Sequence, residues 1–99
     1  MRRSICMLIV FLASPTVLAS EFTCRANNEI RMISVEYEHK DWQVPCRVKY
    51  EKLSESLTEY PWSAQASAGY CEDRATFLAA KLENWGWTCE EQPSESEKP

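Results

Sequence analysis

Four cysteines limit the fold of this chain more than any other feature. They are Cys24, Cys46, Cys71 and Cys89, separated by 22, 25 and 18 positions, while a fifth, Cys6, lies in an N-terminal apolar segment. An even number of cysteines in a small exported domain is typical of a disulfide framework, because so short a chain gains little stability from its core alone. We therefore predict two disulfides. Zinc-binding and thioredoxin-like sites are disfavoured, because both use close pairs such as C-x-x-C.

The start of the chain has the three-part layout of a secretory signal peptide. Arg2 and Arg3 supply a cationic start, residues 5–13 form a continuous apolar run, and small residues follow. This apolar run of nine residues is shorter than the roughly 20 that a membrane-spanning helix requires. We therefore place a signal peptide at residues 1–19, with cleavage one residue later as the second choice. The product is expected to be exported, either periplasmic or secreted, and to have no membrane anchor.

Without residues 1–19 the chain is strongly acidic. It then has 80 residues with 9 basic and 15 acidic side chains, a net charge of −6. Such a surface argues against nucleic-acid binding, which needs clustered Lys and Arg. A chain of this length is also too short for two domains or a large catalytic scaffold. Residues 90–99 are rich in Ser, Glu and Pro and contain no apolar side chain, so we predict one domain over 20–89 followed by a disordered acidic tail.

Three segments show the period-2 alternation of half-buried strands. They are residues 22–25, 30–38 and 44–51. The first two flank Asn27-Asn28, a pair that tolerates the positive backbone angles of a tight hairpin turn. The polar residues 39–43 connect the second segment to the third. We expect a three-stranded antiparallel sheet with one dry face and one wet face.

Matching the apolar faces of the second and third strands predicts their register. Val35 is placed opposite Cys46 and Ile33 opposite Val48, because a slip of one residue would turn either strand inside out. In this register Cys24 and Cys46 lie on strands separated by the central one. They are then too far apart to bond, since bonded cysteines have α-carbons about 4.4–6.8 Å apart.

A helical pattern runs over residues 63–85. Its apolar stripe consists of Cys71, Ala75, Leu78, Leu82 and Trp85, at spacings of 4, 3, 4 and 3, with Gly86 as the stop signal. A face of this kind is expected to cover the dry side of the sheet. Residues 52–60 carry a shorter helical pattern, which predicts a turn of helix ended by Pro61. Residues 87–89 are expected to form a short final strand or an extended return segment.

These elements together predict an α+β fold. It has a small three- to four-stranded antiparallel sheet, one long helix packed on one face, and two disulfides that join the halves. The preferred pairing joins Cys46 to Cys71 and Cys24 to Cys89. The long connection between the third strand and the helix lets the helix start near the beginning of that strand. A second pairing, which joins Cys24 to Cys71 and Cys46 to Cys89, remains open.

The aromatic residues supply the candidates for partner binding. Trp42 lies in the predicted hairpin connection beside His39, and aromatic residues at loop tips are frequent interface anchors. Trp87 is a further candidate. For both Trp42 and Trp87, packing against the core is an equally good interpretation. Trp62 and Trp85 lie beside predicted helix ends, where large rings in a small domain usually seal the core.

Chemistry is harder to find in this sequence. His39 is the only histidine, and with Asp41 it offers the one arrangement that suggests a metal-dependent enzyme or a small hydrolase. The adjacent Lys40 would discourage a bound cation, so we favour a polar loop residue instead. We expect no catalytic residue, no metal site and no cofactor.

A wider pattern resembles a known group of proteins. It comprises Val44-Pro45-Cys46-Arg47-Val48-Lys49-Tyr50-Glu51-Lys52 and Gly69-Tyr70-Cys71-Glu72, followed by Phe77, Leu82 and Trp85-Gly86-Trp87-Thr88-Cys89. This pattern, over residues 22–89, is similar to that of short uncharacterised exported proteins of proteobacteria with two disulfides. The resemblance implies a periplasmic or secreted single domain and brings no activity, ligand or functional residue with it.

The functional expectation is therefore a non-enzymatic exported protein that binds or assists another protein. A charge of −6 would attract basic partners, such as cationic hydrolases or antimicrobial peptides, over long range. An envelope protein whose acidity serves only solubility is an equally good interpretation. The alternative from another class is the enzyme centred on His39 and Asp41.

Overall fold

A computed structural model describes residues 21–92 as a five-stranded antiparallel sheet with one helix across one face. The strands are β1 (Glu21–Ala26), β2 (Glu29–Tyr37), β3 (Cys46–Lys52), β4 (Leu57–Ala64) and β5 (Thr88–Gln92), and the helix is α1 (Tyr70–Asn84). The sheet order is β4-β3-β2-β1-β5. The predicted α+β class is confirmed, with more strands than expected. The signal peptide predicted at 1–19 lies outside the described residues.

The first hairpin forms where the sequence predicts it. β1 and β2 pair through a turn at Asn27 and Asn28, and Asn27 has a φ of 57°, in the left-handed region that asparagine tolerates. Phe22, Ile33 and Val35 are buried on the same face of this hairpin. These side chains define the core side of the hairpin, and Thr23 on the other face of β1 is buried as well.

The predicted register between β2 and β3 is wrong by two residues. Val35 lies opposite Val48, Ile33 opposite Tyr50, and the final residue of β2 opposite Cys46. A shift of two residues leaves every side chain on its predicted face, because side chains alternate with a period of two. Hydrophobic alternation alone cannot separate registers that differ by an even number of residues. On the wet face the correction places Glu36, rather than Ser34, opposite Arg47.

The helix predicted over residues 52–60 is also wrong. Only Leu53–Glu55 forms a 3-10 turn, after which the chain pairs with β3 as β4. Pro61 lies inside this strand rather than ending a helix. Proline is tolerated at a sheet edge, where its missing N–H is not needed by the ladder, and β4 is the edge strand of the described sheet. Trp62 is half-buried against the core, as predicted.

Helix α1 is shorter than predicted, because residues 63 and 64 belong to β4. It begins after Gly69, whose φ of 87° suits glycine at the N-cap, and it ends before Gly86. The predicted inward stripe is buried from Cys71 to Leu82. Trp85 does not seal the core and is 61% exposed, because the helix ends at Asn84 and the half-buried Trp87 packs against the core instead.

The preferred disulfide pairing is confirmed. Cys24 and Cys89 lie opposite each other on β1 and β5, with α-carbons 4.0 Å apart. Cys46 at the start of β3 bonds Cys71 in the first turn of α1, with α-carbons 6.3 Å apart. The first bridge fastens the last strand to the sheet, and the second fastens the start of the helix to it.

The folded part of the chain continues past the boundary predicted at Cys89. β5 pairs with β1 as far as Gln92, so residues 90–92 belong to the sheet, and the rest of the predicted tail lies outside the described residues. Within residues 21–92, no helix has the length and apolarity needed to cross a membrane. The core lies between the sheet and α1 and consists of Phe22, Cys24, Ile33, Val35, Cys46, Val48, Tyr50, Cys71, Ala75, Leu78, Ala79 and Leu82.

Candidate functional site

The loop that joins β2 to β3, residues 38–45, carries the strongest candidate site. The rings of His39 and Trp42 lie against each other, with centroids 4.7 Å apart and planes tilted by 57°. Both side chains are exposed, and Trp42 is 61% exposed. The structure therefore brings two of the three predicted partner-binding residues together at one end of the sheet.

Hydrogen bonds within the loop fix its shape. The Trp42 N–H donates to the His39 carbonyl at 3.2 Å, and the Glu38 N–H donates to the Pro45 carbonyl at 3.0 Å. Asp41 has a φ of 71° within this turn, and the Val44–Pro45 peptide bond is cis. Trp42 is thus presented by a loop whose backbone is already closed on itself.

A cleft with a volume of about 330 Å³ opens beside this loop. Its lining combines the end of β2, the start of β3 and the end of β4, where Ser63 lies inside the strand and Gln65 follows it. The polar and charged side chains among them are Glu36, Tyr37, Glu38, Arg47, Ser63 and Gln65. The cleft is bordered by charged groups and by one phenol, and it lies next to the exposed aromatic pair.

The two carboxylates of the cleft differ in their partners. Glu36 Oε1 accepts hydrogen bonds from the Arg47 guanidinium, with Nε and Nη2 both 2.9 Å away, and Glu36 Oε2 lies 3.5 Å from Lys49 Nζ. Glu38 is exposed and makes no ion pair with any residue between 21 and 92. The negative charge available to a binding partner therefore belongs to Glu38.

Lys49 extends this charge network along the wet face. Its ammonium lies 2.9 Å from Glu51, and the hydrogen bond to Glu51 together with the charges of Glu51 and Glu36 raises the pKa of Lys49. The Arg47 guanidinium stands 3.9 Å from the centre of the Tyr60 ring. Arg47 and Lys49 are therefore already paired with carboxylates of the sheet, so neither cation neutralises Glu38.

A buried carboxylate lies behind the cleft and was not predicted as part of the site. The Tyr37 hydroxyl donates a hydrogen bond to Glu72 Oε2. Glu72 is only 5% exposed, and its Oε1 makes no hydrogen bond with the described residues. From sequence, a glutamate in the first turn of a helix indicates a favourable interaction with the helix dipole. The burial of Glu72 depends on how α1 crosses the sheet, and no pattern in the sequence predicts that crossing.

Trp87, the third predicted partner-binding residue, lies away from the loop. Its half-buried ring packs against the core, and the Arg31 guanidinium stands 4.5 Å from the ring centre. Arg31 is near the start of β2, whereas the loop follows the end of that strand. Trp87 therefore belongs to the opposite end of the sheet from Trp42.

The arrangement at His39 and Asp41 offers little to a metal. Among residues 21–92, no group of three or more His, Cys, Asp or Glu side chains is placed to hold a metal ion. The four cysteines of this part of the chain are all in disulfides.

Comparisons of the chain with protein-family models, with curated proteins and with solved structures find no match. The two disulfides are consistent with a small exported protein that folds in an oxidising compartment. Any more specific function has to be inferred from the geometry of the surface.

Proposed function

We propose that the protein is an exported, non-enzymatic binding or accessory protein that recognises a basic segment of another protein. The recognition surface, termed here the hairpin edge, consists of His39, Trp42, Glu38 and the adjoining cleft. The observation that carries the proposal is the exposed Trp42 ring, held against His39 in the loop that also carries Glu38. The Glu38 carboxylate makes no ion pair with any described residue.

The aromatic part of the hairpin edge is suited to act as an anchor. Tryptophan is enriched among residues that dominate interface energies, because one ring removes a large apolar area from water. The loop hydrogen bonds of Trp42 and Glu38 reduce the conformational freedom that binding would otherwise remove. A partner can therefore bury the Trp42 ring at a low entropic cost.

The charge of the hairpin edge selects the kind of partner. The whole chain has a net charge of −4, so basic proteins are attracted over long range. At the cleft a Lys or Arg side chain from the partner would meet Glu38, whereas Glu36 is already held by Arg47 and Lys49. Attraction of this type speeds association and favours basic partners over acidic ones.

The enzyme centred on His39 and Asp41 is the alternative from the sequence, and no observation of the structure favours it. His39 contacts the Trp42 ring, and Asp41 occupies a turn position with positive φ. Metal titration of the oxidised protein, with His39→Ala as the comparison, separates the two functions. Stoichiometric metal binding that the variant abolishes would support the enzyme and count against the proposal.

The proposal is tested by calorimetry with two probes, a lysine-rich peptide containing apolar residues and a cationic hydrolase. Trp42→Ala should weaken binding, and Trp85→Ala is its matched control, because both rings are 61% exposed in the described structure. Glu38→Gln should weaken binding in the same way, with Glu83→Gln removing an equal charge from an exposed position on α1.

The salt dependence of binding distinguishes electrostatic attraction from nonspecific apolar association. Binding should decrease between low and physiological ionic strength, because screening shortens the reach of exposed charges to about 8 Å. Equal losses in Trp42→Ala and Trp85→Ala, or binding that does not respond to salt, would contradict recognition through the hairpin edge.

A further inference from the structure

One flank of α1 carries an alternating series of aromatic and cationic side chains. The series, termed here the aromatic–cation stripe, consists of Tyr70, Arg74, Phe77, Lys81 and Trp85. Their spacings of 4, 3, 4 and 4 place them within about a quarter of the helix circumference and along roughly 22 Å of its axis. Tyr70, Phe77 and Trp85 are all exposed.

From Arg74 to Trp85, the side chains of the stripe contact one another in sequence. The Arg74 guanidinium lies 4.3 Å from the centre of the Phe77 ring. The Lys81 ammonium lies 5.7 Å from the Phe77 ring and 5.5 Å from the Trp85 ring. Cation–π contacts at these distances hold the charges among the rings and keep both kinds of group at the same surface.

Two of the chain's cations, Arg74 and Lys81, belong to the stripe. None of its five positions is acidic, although the chain as a whole has a net charge of −4. Lys81 makes no ion pair with a carboxylate among residues 21–92, and the one partner of Arg74 is Asp73, at 3.8 Å with its side chain 74% exposed. Lys81 is therefore available to an external anion, whereas the Arg74 side chain is 27% exposed and already shares its charge with Asp73.

The shape of the stripe favours a flat partner over an inserted one. Phe77 packs edge-on against Trp62 of β4, with centroids 6.1 Å apart, and Arg74 lies 5.3 Å from the same Trp62 ring. These contacts fill the space between α1 and the edge strand. At this point of the flank the rings lie over filled space rather than over a groove, which favours a flat partner over an inserted peptide.

We propose that the aromatic–cation stripe docks the protein on the surface of an anionic phospholipid bilayer. Tyr and Trp rings settle at the boundary between headgroups and acyl chains, and Lys and Arg are attracted to anionic headgroups. The stripe supplies both kinds of group on one flank of α1. The docking is peripheral and involves no spanning segment, and it does not depend on the hairpin edge.

The experiment measures co-sedimentation of the oxidised protein with vesicles of equimolar phosphatidylglycerol and phosphatidylcholine, compared with vesicles of phosphatidylcholine alone. The protein is recovered after export, and its N-terminus is read by intact mass, so that a retained apolar leader is not mistaken for the docking surface. Binding is expected on the anionic vesicles at low salt only. Replacement of a cation in Arg74→Gln or Lys81→Gln should lower the partition coefficient about fivefold each.

Matched variants locate the contact. Trp85→Ala should weaken vesicle binding several-fold, whereas Trp42→Ala removes an equally exposed ring from the hairpin edge and should leave it unchanged. Lys40→Gln removes a charge from the exposed loop and should likewise have no effect. Far-UV circular dichroism of each variant confirms that the fold is retained.

Four results would overturn the proposal. These are no binding to the anionic vesicles, equal binding to neutral ones, loss of binding in Trp42→Ala but not in Trp85→Ala, or no effect of Lys81→Gln. A concentration-dependent dimer that Trp85→Ala abolishes in the absence of lipid would assign the stripe to contact between copies instead. Capture of polyglutamate that depends on Lys81 would assign it to an acidic protein.

Discussion

The hydroxyl of Tyr37, the last residue of β2, donates a hydrogen bond to the buried carboxylate of Glu72 in the first turn of α1. This contact joins the sheet to the helix beside the Cys46–Cys71 disulfide. It also fixes a ring that lines the cleft of the hairpin edge. The Tyr37–Glu72 hydrogen bond thereby helps to fix the position of a side chain that lines the candidate site.

Removal of the Tyr37 hydroxyl should destabilise the protein. Tyr37→Phe leaves the Glu72 carboxylate buried without its donor, and an unsatisfied buried group of this kind costs about 1–3 kcal/mol, more when it is charged. Glu72→Gln should cost less, because the amide oxygen still accepts the hydrogen bond and no charge is buried. The free energy of unfolding in urea measures both. Tyr60→Phe, an exposed position on β4, is the control, and equal small losses in all three variants would contradict the prediction.

The two disulfides should contribute unequally to stability. Cys24–Cys89 closes a loop of 65 residues and Cys46–Cys71 a loop of 25. Chain entropy in the unfolded state then predicts losses of about 4.3 and 3.5 kcal/mol, respectively, when each pair is replaced by alanine. Urea unfolding of the two double variants checks the order. A larger loss for the shorter loop would show that native contacts, rather than the unfolded chain, decide the difference.

Local sequence patterns were sufficient to predict part of this fold. The β1–β2 hairpin followed from alternation around Asn27-Asn28, and the buried stripe of α1 followed from helical spacing. Strand order excluded a Cys24–Cys46 bond, because a central strand separates the two residues. The preference between the two remaining pairings rested on the long connection from the third strand to the helix. These features depend on residues close in the chain or on adjacency within a single sheet.

Features that depend on distant partners were not predictable in the same way. β4 forms because β3 has a free edge to pair with, and its sequence around Pro61 carries no clear strand signal. The β2–β3 register differs from its prediction by two residues, which alternation cannot detect. At the hairpin edge, the proximity of His39 and Trp42 followed from their shared loop. The cleft and Glu72 did not, since they require the positions of β4 and α1.

The stability of the protein should depend on Lys49 at high pH. The hydrogen bond and charge of Glu51 raise the pKa of Lys49 above its usual value of 10.5, so folding favours the protonated amine. The stabilisation is therefore fully present below pH 10.5 and is lost as the pH rises through the higher pKa of the folded state. The difference in unfolding free energy between wild type and Lys49→Gln should be constant from neutral pH and shrink above that value.

Tyrosine ionisation also affects stability in this range, so the comparison needs a second variant. Lys40→Gln removes a lysine from the exposed loop, where no ion pair with the described residues holds it. Its difference from wild type should show no comparable decline. A parallel decline in both variants would attribute the effect to general charge and not to the contact with Glu51.

Arg31 should be more important for stability than its charge alone would suggest. Its guanidinium donates a hydrogen bond to the Tyr50 hydroxyl at 2.7 Å and stands 4.5 Å from the centre of the Trp87 ring, with Glu55 3.9 Å away. Arg31→Ala removes these contacts from the end of the core opposite the hairpin edge. We expect a loss of about 2 kcal/mol, typical of a partly buried charged hydrogen bond with a cation–π contact.

Arg25→Ala is the matched control for this variant. Arg25 lies on the neighbouring strand β1, its side chain is 54% exposed, and its pairing with Glu90 is long at 3.8 Å. Exposed pairs of this kind contribute about 0–1 kcal/mol. Urea unfolding followed by tryptophan fluorescence measures both variants, and near-equal losses would mean that Arg31 acts as an ordinary surface charge. A loss confined to Arg31→Ala, with altered emission from Trp87, would show that the contacts of Arg31 with Tyr50 and Trp87 stabilise this end of the core.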